Sequence, residues 1–270
     1  MYRYYITYIF LFAITFVVEA QDFRRADSLL AVGKYALAAV EYERCHFQAT
    51  SHDVSHQALR KKSECYKKLQ RYDLAAQAMK RCRENYSDYL ELVTLLYLAD
   101  DFEHAAEESQ NAELMFDTIG ADMLLLWTLS LNEQQYYDSA RRVCHRIAKL
   151  YDNSAAINDS IDAIYSDTPR LKSKSLAHWL SIFPGLGHLY AGYPLVATIA
   201  CVSSAAPIGF GVWQLTEHYY LTAYLVGAGL LNSTYFGTMQ SATDHAKRTN
   251  HRRAAKFNEA TRNRLIDVLF

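Results

Sequence analysis

The sequence predicts an all-α protein in two parts: a solenoid of about four helix pairs plus a cap, then an α-helical transmembrane hairpin. Three observations carry this. An aromatic residue followed three positions later by Ala recurs four times between Tyr35 and Ala140. Ser175 to Thr216 is a run of 42 residues without Asp, Glu, Lys or Arg. A second apolar run, Tyr219 to Met239, comes after one short polar turn. A bilayer core needs about 20 apolar residues per spanning helix.

Residues 1–20 read as a signal peptide. Arg3 gives a short basic start, and Tyr5 to Val18 is an apolar core too brief for a comfortable span. Val18-Glu19-Ala20 puts small residues at the two positions a signal peptidase inspects, so cleavage falls before Gln21. An uncleaved anchor is the alternative, and either reading exports the chain beyond residue 20. No Cys stands near the cleavage site, which argues against a lipid anchor there.

Residues 21–168 carry the repeat. The recurring units are Tyr35-Ala36-Leu37-Ala38, Tyr72-Asp73-Leu74-Ala75, Phe102-Glu103-His104-Ala105 and Tyr137-Asp138-Ser139-Ala140, spaced by 37, 30 and 35 residues. Four residues after each Ala comes another interior position (Tyr42, Met79, Ser109, Cys144), and three further on a second one (Cys45, Cys82, Ala112, Ile147). That recurrence marks one face of a helix. A further helical stretch precedes each aromatic, such as Leu59 to Leu69 or Tyr89 to Ala99. Small Ala lets two helices approach closely while the aromatic fills the next groove. One such pair cannot bury its apolar face alone, so pairs stack. Ser154 to Tyr165, with Ala155, Ile157, Ile161 and Ile164 on a narrower apolar stripe, reads as the cap, and Thr168-Pro169-Arg170 ends the domain.

These motifs resemble the tetratricopeptide repeat, a helix-turn-helix unit of about 34 residues. Gly33 and Tyr66 add two further family positions. Ser109 departs from the pattern, which has a large side chain there, and the first helices of the first and third repeats match it weakly. The resemblance implies peptide binding along a concave surface lined by the first helix of each pair. On this chain that surface holds Arg60, Glu64 and Lys67, then Leu90, Thr94 and Tyr97, then Leu125, Leu129 and Asn132. A part-basic, part-apolar groove suits an extended peptide with an acidic or carboxylate feature. An unrelated helical bundle is the alternative to the repeat, and within the repeat Arg60, Lys61, Lys62, Lys67 and Lys68 also read as an ordinary solvated face.

Other chemistry is sparse. Cys45, Cys65, Cys82 and Cys144 lie in the exported part, where disulfides are permitted. Three of them sit at repeat positions that pack as small hydrophobes, so buried thiols are expected, with Cys45–Cys65 the pair that would cross-link. His52 and His56, four apart, share a helix face and could hold a metal, but no HExxH pattern accompanies them. The segment reads as an inter-repeat loop with a helix start capped by Ser51 or Asp53, and no metal is assigned. Gly185, Gly187 and Gly192 do not have the spacing of a phosphate loop. No catalytic residue, cofactor or small-molecule substrate is assigned. A formal net charge of -1 over 270 residues argues against a nucleic-acid binder.

After a linker, residues 169–174, the membrane module covers residues 175–243 and a basic amphipathic tail helix residues 244–270. Leu176, Trp179, Leu180 and Phe183 share one face of a short interfacial helix. Pro184-Gly185-Leu186-Gly187 breaks it, Pro194 opens a span from Leu195 to Trp213, and Tyr220 to Met239 returns. Gly209, Gly211, Gly227, Gly229 and Gly237 would let the spans pack closely. The run Pro184-Gly185-Leu186-Gly187-His188-Leu189-Tyr190-Ala191-Gly192 resembles the P-G-L-G-Q-x-Y-x-G signature of small bacterial membrane domains, with His188 where the family has Gln. That resemblance implies a membrane hairpin in a Gram-negative envelope protein, with Pro184, Gly185, Gly187, His188, Tyr190 and Gly192 in structural roles.

Topology is open between two spans and three, and with two spans the basic tail residues could sit on anionic lipid at the outer face. Two spans return the tail, with Lys247, Arg248, Arg252 and Arg253, to the side of the repeats, against the positive-inside rule. Three spans, counting Ser175 to Tyr193, remove the conflict through a segment that Pro-Gly breaks. The expected protein is a non-enzymatic scaffold at the cell envelope, integral to a membrane, with the repeats on the periplasmic side and protein partners bound through them. An accessory subunit of an export, insertion or transport complex is the alternative.

Overall fold

The computed structural model describes residues 23–151 and 154–269; the expected signal peptide lies outside them. Every regular element among the described residues is helical. Two compact units divide the chain, one ending at Asp162 and the other running from Ala163 to Val268.

The first unit contains α1 (Arg24–Ala31), α2 (Tyr35–Gln48), α3 (His52–Lys68), α4 (Tyr72–Lys80), α5 (Tyr86–Leu98), α6 (Phe102–Met115), α7 (Ala121–Glu133) and α8 (Tyr137–Ala148). The division falls within α9 (Ser154–Ser166). Each helix from α1 to α7 packs on the next, and α5 also packs on α7. All twelve interior positions read from the sequence are buried, from Ala38, Tyr42 and Cys45 to Ala140, Cys144 and Ile147. At Ser109, where the family pattern has a large side chain, the hydroxyl donates to the Ala105 carbonyl at 2.7 Å, so burial leaves no polar atom unsatisfied. Ala155, expected on the stripe of α9, is exposed, whereas Ile161 and Ile164 are buried.

The backbone repeats as well as the side chains. Gly33, Gln70, Asp100 and Gln135, each two residues before the recurring aromatic, all have positive φ, between 57° and 76°. The next N–H donates to the carbonyl five residues back: Lys34 to Leu29, Arg71 to Tyr66, Asp101 to Leu96 and Tyr136 to Leu131, at 2.9–3.0 Å. This left-handed turn satisfies orphan carbonyls at a helix end and reverses the chain sharply. Only Gly33 is the residue such a turn favours.

Between pairs, side chains set the entry to the next helix. The Ser51 hydroxyl accepts from the Val54 N–H at the start of α3. Asn85 and Asp88 form a reciprocal capping box at the start of α5. Leu59, Met79, Tyr89, Leu92, Leu95 and Met123 centre one core cluster, and Ala26, Ala39, Tyr42 and Cys65 another; Tyr66 packs on both. The first helix of the third pair, α5, matches the family pattern weakly. It nevertheless supplies five residues to the larger cluster, because Tyr89, Leu92, Val93, Leu95 and Leu96 cover two adjoining helix faces.

The second unit holds α10 (Lys174–Leu180), α11 (Leu186–Ala191), α12 (Pro194–Thr216), α13 (Tyr220–Thr222), a π-helical stretch Ala223–Ala228 and α14 (Gly229–Leu269). Pro194 sits in the first turn of α12, where its missing N–H costs nothing. Alone among the described helices, α12 is long and apolar enough to cross a membrane. Its 23 residues extend about 34 Å, against about 30 Å of hydrocarbon. The chain reverses at His218 (φ 62°), with Tyr219 N–H donating to the Gln214 carbonyl.

The return differs from the uniform second span expected. It begins as α13 and the π-helical stretch, then enters the 41-residue α14, which passes through position 243/244 without a break. The π-helical stretch packs on α12 where Gly211 and Gly227 meet. A Cβ on Gly227 would stand 3.1 Å from Gly211 Cα, so the close approach depends on the missing side chains.

Candidate functional site

Two groups of residues singled out by the sequence have definite places in the fold. The first lies along α3, α5 and α7, the leading helices of three consecutive pairs. They adjoin one another through polar contacts. Arg60 of α3 forks onto Asp88 of α5, with Nε and Nη2 at 3.1 and 2.8 Å from its two carboxylate oxygens. Lys67 reaches Glu91 of α5 at 2.5 Å. Tyr86 of α5 donates to Asp122 of α7 and accepts the Gly120 N–H, both at 2.9 Å. Burial raises the Tyr86 phenol to about 12.

Arg60, Lys61, Lys62 and Lys67 of the basic run on α3 are matched by carboxylates, and Lys68 is exposed. Lys61 meets Asp27 of α1 and Lys62 meets Glu43 of α2, each at 2.7 Å, and Arg81 adds a second cation to Glu43. Burial pushes the Asp88 carboxyl up, but Arg60 and the N–H groups of Glu84 and Asn85 outweigh it, holding the carboxyl below the usual range. Burial likewise works against Asp27, where Lys61 and the Tyr42 hydroxyl prevail, and against Glu43, where Lys62 and Arg81 do. Arg60 and Lys67 thus help hold successive pairs together. Glu64 is exposed, and Leu90, Thr94, Tyr97 and Leu125 are half-buried. The Thr94 hydroxyl donates to the Leu90 carbonyl at 2.7 Å, and Tyr97 stacks edge-on against Phe102. Leu129 and Asn132 are buried, so the part of this face offered to solvent runs from Glu64 to Leu125.

Asp88 and Glu91, absent from the expected groove, are the residues that define its charge. They stand 28 and 24 positions beyond Arg60 and Lys67. The signal that could have found them is opposite charge at matching positions one repeat on, which is readable only once the register is fixed.

The second group is the glycine motif. Pro184 and Gly185 lead from α10 into α11, and the Pro184 carbonyl accepts from Cys201 Sγ of α12 at 2.9 Å. Gly185 has φ 89°, and a Cβ there would meet the Ala197 carbonyl and Cys201 Sγ at 2.6 Å. At Gly187 a Cβ would lie 1.9 Å from Ser181 Oγ and 2.5 Å from the Ala177 carbonyl. Gly192 takes φ 94° at the end of α11. These glycines let α10, α11 and α12 converge over a few residues.

The polar members of the motif tie α11 to the start of α10 and to α14. The Tyr190 hydroxyl accepts the Ser173 N–H, and its carbonyl accepts from Lys172 Nζ. Asn250 of α14 exchanges two hydrogen bonds with the Lys172 backbone, at 2.7 and 2.8 Å, and Thr249 donates to the Ala191 carbonyl. His188 is buried, with Nε2 3.2 Å from Ser241 Oγ, and His245 packs edge-on against it. Burial, and then the neighbouring His245, push the His188 pKa down, so its ring is neutral at pH 7.

The cysteines of the first unit are buried and form no disulfide among the described residues, Cys45 and Cys65 included. Burial raises Cys65 and Cys82 to about 11 and Cys144 to about 12, so the reactive thiolate is scarce at neutral pH.

No family model matches this chain, nor does any curated protein or solved structure.

Proposed function

We propose that this chain is a non-enzymatic scaffold of the bacterial cell envelope. A tetratricopeptide-like solenoid on the periplasmic side binds protein partners, and a two-span helical hairpin holds it at the bilayer. The observation that carries the reading is the joining of α3, α5 and α7 into one face: Arg60–Asp88, Lys67–Glu91 and Tyr86–Asp122 fix successive pairs in register. Such a face is built for an extended partner, because neighbouring pairs present it side by side.

The anchoring half of the reading rests on exposed apolar area. Leu195, Ile199, Val202, Val212 and Trp213 of α12 stand open, as do Leu221, Tyr224, Leu225 and Phe236 of the return. Soluble monomers rarely present so large a contiguous apolar patch to water. Trp179 and Phe183, also exposed beside the glycine motif, fit the interfacial zone where Trp is enriched.

The test is co-purification in a mild detergent after crosslinking of intact envelopes. Soluble envelope proteins recovered with the full chain, and lost on Tyr97→Ala with Leu125→Ala, support the scaffold. Recovery of stable integral-membrane partners that survives these substitutions favours the alternative, a subunit of an export, insertion or transport complex whose working part is the hairpin. A cysteine introduced by Lys256→Cys and labelled on intact cells reports the side of the tail. Access from outside agrees with two spans, and protection with three.

A further inference from the structure

We propose that His52, His56 and Glu84 form a binding site for a divalent transition metal of the zinc class, which clips the start of α3 to the α4–α5 connection. His52 and His56 lie one turn apart in the first turns of α3, their ring centroids 3.9 Å apart. Glu84 comes from 28 residues beyond His56, just ahead of the Asn85 cap of α5. Its Oε1 stands 3.2 Å from Nδ1 of both histidines. One ligand atom from each residue falls within 4.8 Å of the others.

The chemistry and spacing suit zinc. Two imidazoles and one carboxylate are a donor set zinc takes, with bonds of about 2.0–2.2 Å. In a tetrahedron of that size, donor atoms lie about 3.3 Å apart, close to both histidine–carboxylate distances here. Protonated histidines would form ion pairs at the same distance, so distance alone does not decide. A second observation does. His56 Nδ1 is buried and makes no hydrogen bond, although Glu84 Oε1 lies 3.2 Å away. A metal seated among the three donors would satisfy that nitrogen, which the carboxylate alone leaves stranded.

The surroundings are consistent with a cation. Arg60, the nearest fixed positive charge, is 3.9 Å from Glu84 Oε2 and has turned its fork onto Asp88, leaving Oε1 to the histidines. The Glu84 N–H donates to Asp88 Oδ2 at 3.1 Å, so the carboxylate ligand hangs from backbone held by the α5 cap. His52 is exposed, which leaves remaining coordination positions to water. A metal here would close the chain between positions 52 and 84 and select the folded state by mass action.

The experiment uses the full chain in detergent, stripped with a chelator and titrated with zinc chloride, reading bound zinc and the melting temperature by circular dichroism. The expected result is one zinc per chain with a saturable rise in melting temperature. Glu84→Gln and His52→Ala should each weaken that binding at least about tenfold and abolish the rise, while the exposed control His251→Ala changes neither. Should Glu84→Gln disturb the α5 cap, His52→Ala, at an exposed side chain, still decides. Zinc uptake and melting shift unchanged in both variants would overturn the site, as would a wild-type chain that takes up no zinc. Loss of zinc binding leaves partner capture by the α5–α7 face to be scored separately, so the two readings fail independently.

Discussion

At the scale of single residues, the Arg60–Asp88 pair shows how a charge can belong to the fold and not to a ligand. Asp88 receives the guanidinium fork of Arg60 and two backbone N–H groups, and its own N–H is capped by Asn85. Removing the arginine leaves the carboxylate its backbone donors, so Arg60→Ala should cost about 1–2 kcal/mol. Asp88→Ala removes the carboxylate half of the capping box, leaving the Glu84 and Asn85 N–H groups without their acceptor, and strands Arg60, so its cost should be larger, about 2–3 kcal/mol. Urea melts of both variants check the order. Acid adds a second readout. Asp27, Glu43 and Asp88 all titrate below their ordinary values in the folded state. Their stabilisation is therefore full above the unfolded values, about 3.9 for Asp and 4.3 for Glu, and fades as pH falls through the folded ones. Stability measured from pH 6 down to pH 3 should decline, and Asp88→Asn should flatten that decline. The thiols offer a third check: Cys65, Cys82 and Cys144 should react with a thiol reagent only as fast as the first unit opens, because burial holds them protonated.

At the scale of elements, the recurring turn and the glycine motif make opposite predictions for glycine. Gln70 and Gln135 adopt left-handed backbone that L side chains resist. Gln70→Gly and Gln135→Gly should each raise stability by about 0.5–1 kcal/mol, the relief of strain exceeding the added unfolded-state entropy. In the motif the substitutions run the other way and should rank. Gly187→Ala drives a Cβ into the Ala177 carbonyl and Gly185→Ala into that of Ala197, so each should cost about 3 kcal/mol or more. Gly192→Ala meets nothing closer than Lys172 Nζ at 3.9 Å and should cost about 1 kcal/mol, for its φ alone. Thermal melts of the detergent-solubilised chain test the ranking. The same two features show what a sequence discloses. The buried faces of α2, α4, α6 and α8 were legible because small and large side chains recur at fixed spacing. The turns were legible only at Gly33, since Gln and Asp at the other three announce nothing about φ. Glu84, Asp88 and Glu91 were hidden for a different reason: their partners on α3 lie 24 to 32 residues away, and only the stacking of one helix pair on the next brings them together. The boundary expected at 243/244 tracks composition, but the backbone of α14 responds to hydrogen bonding along the helix, which a change from apolar to charged side chains does not interrupt.

At the scale of the whole chain, the decisive quantity is the free energy of leaving α12 in water. Its exposed side chains include Leu195, Ile199, Val202, Ile208, Val212 and Trp213, and burying each such residue is worth about 1.5–3 kcal/mol. That sum rivals the entire net stability of an ordinary domain, about 5–15 kcal/mol, so a chain with this helix in solvent would aggregate. In a bilayer the same side chains are matched by hydrocarbon, and the helix satisfies its own backbone except at Pro207, which has no N–H to offer. Alkaline carbonate should consequently leave the full chain in the membrane fraction. Ala205→Arg tests the reason, because position 205 is exposed near the middle of α12 and a charge there costs about 2.5–3.5 kcal/mol on the insertion scale. The same change at Leu215, near the end of the helix, can snorkel and should cost far less. A carbonate-extractable fraction that rises for Ala205→Arg and stays flat for Leu215→Arg would tie retention to α12 itself. Equal extraction of both variants and the parent would mean that α12 is not what holds the chain in the membrane fraction, and that its exposed side chains find their cover in protein instead of lipid.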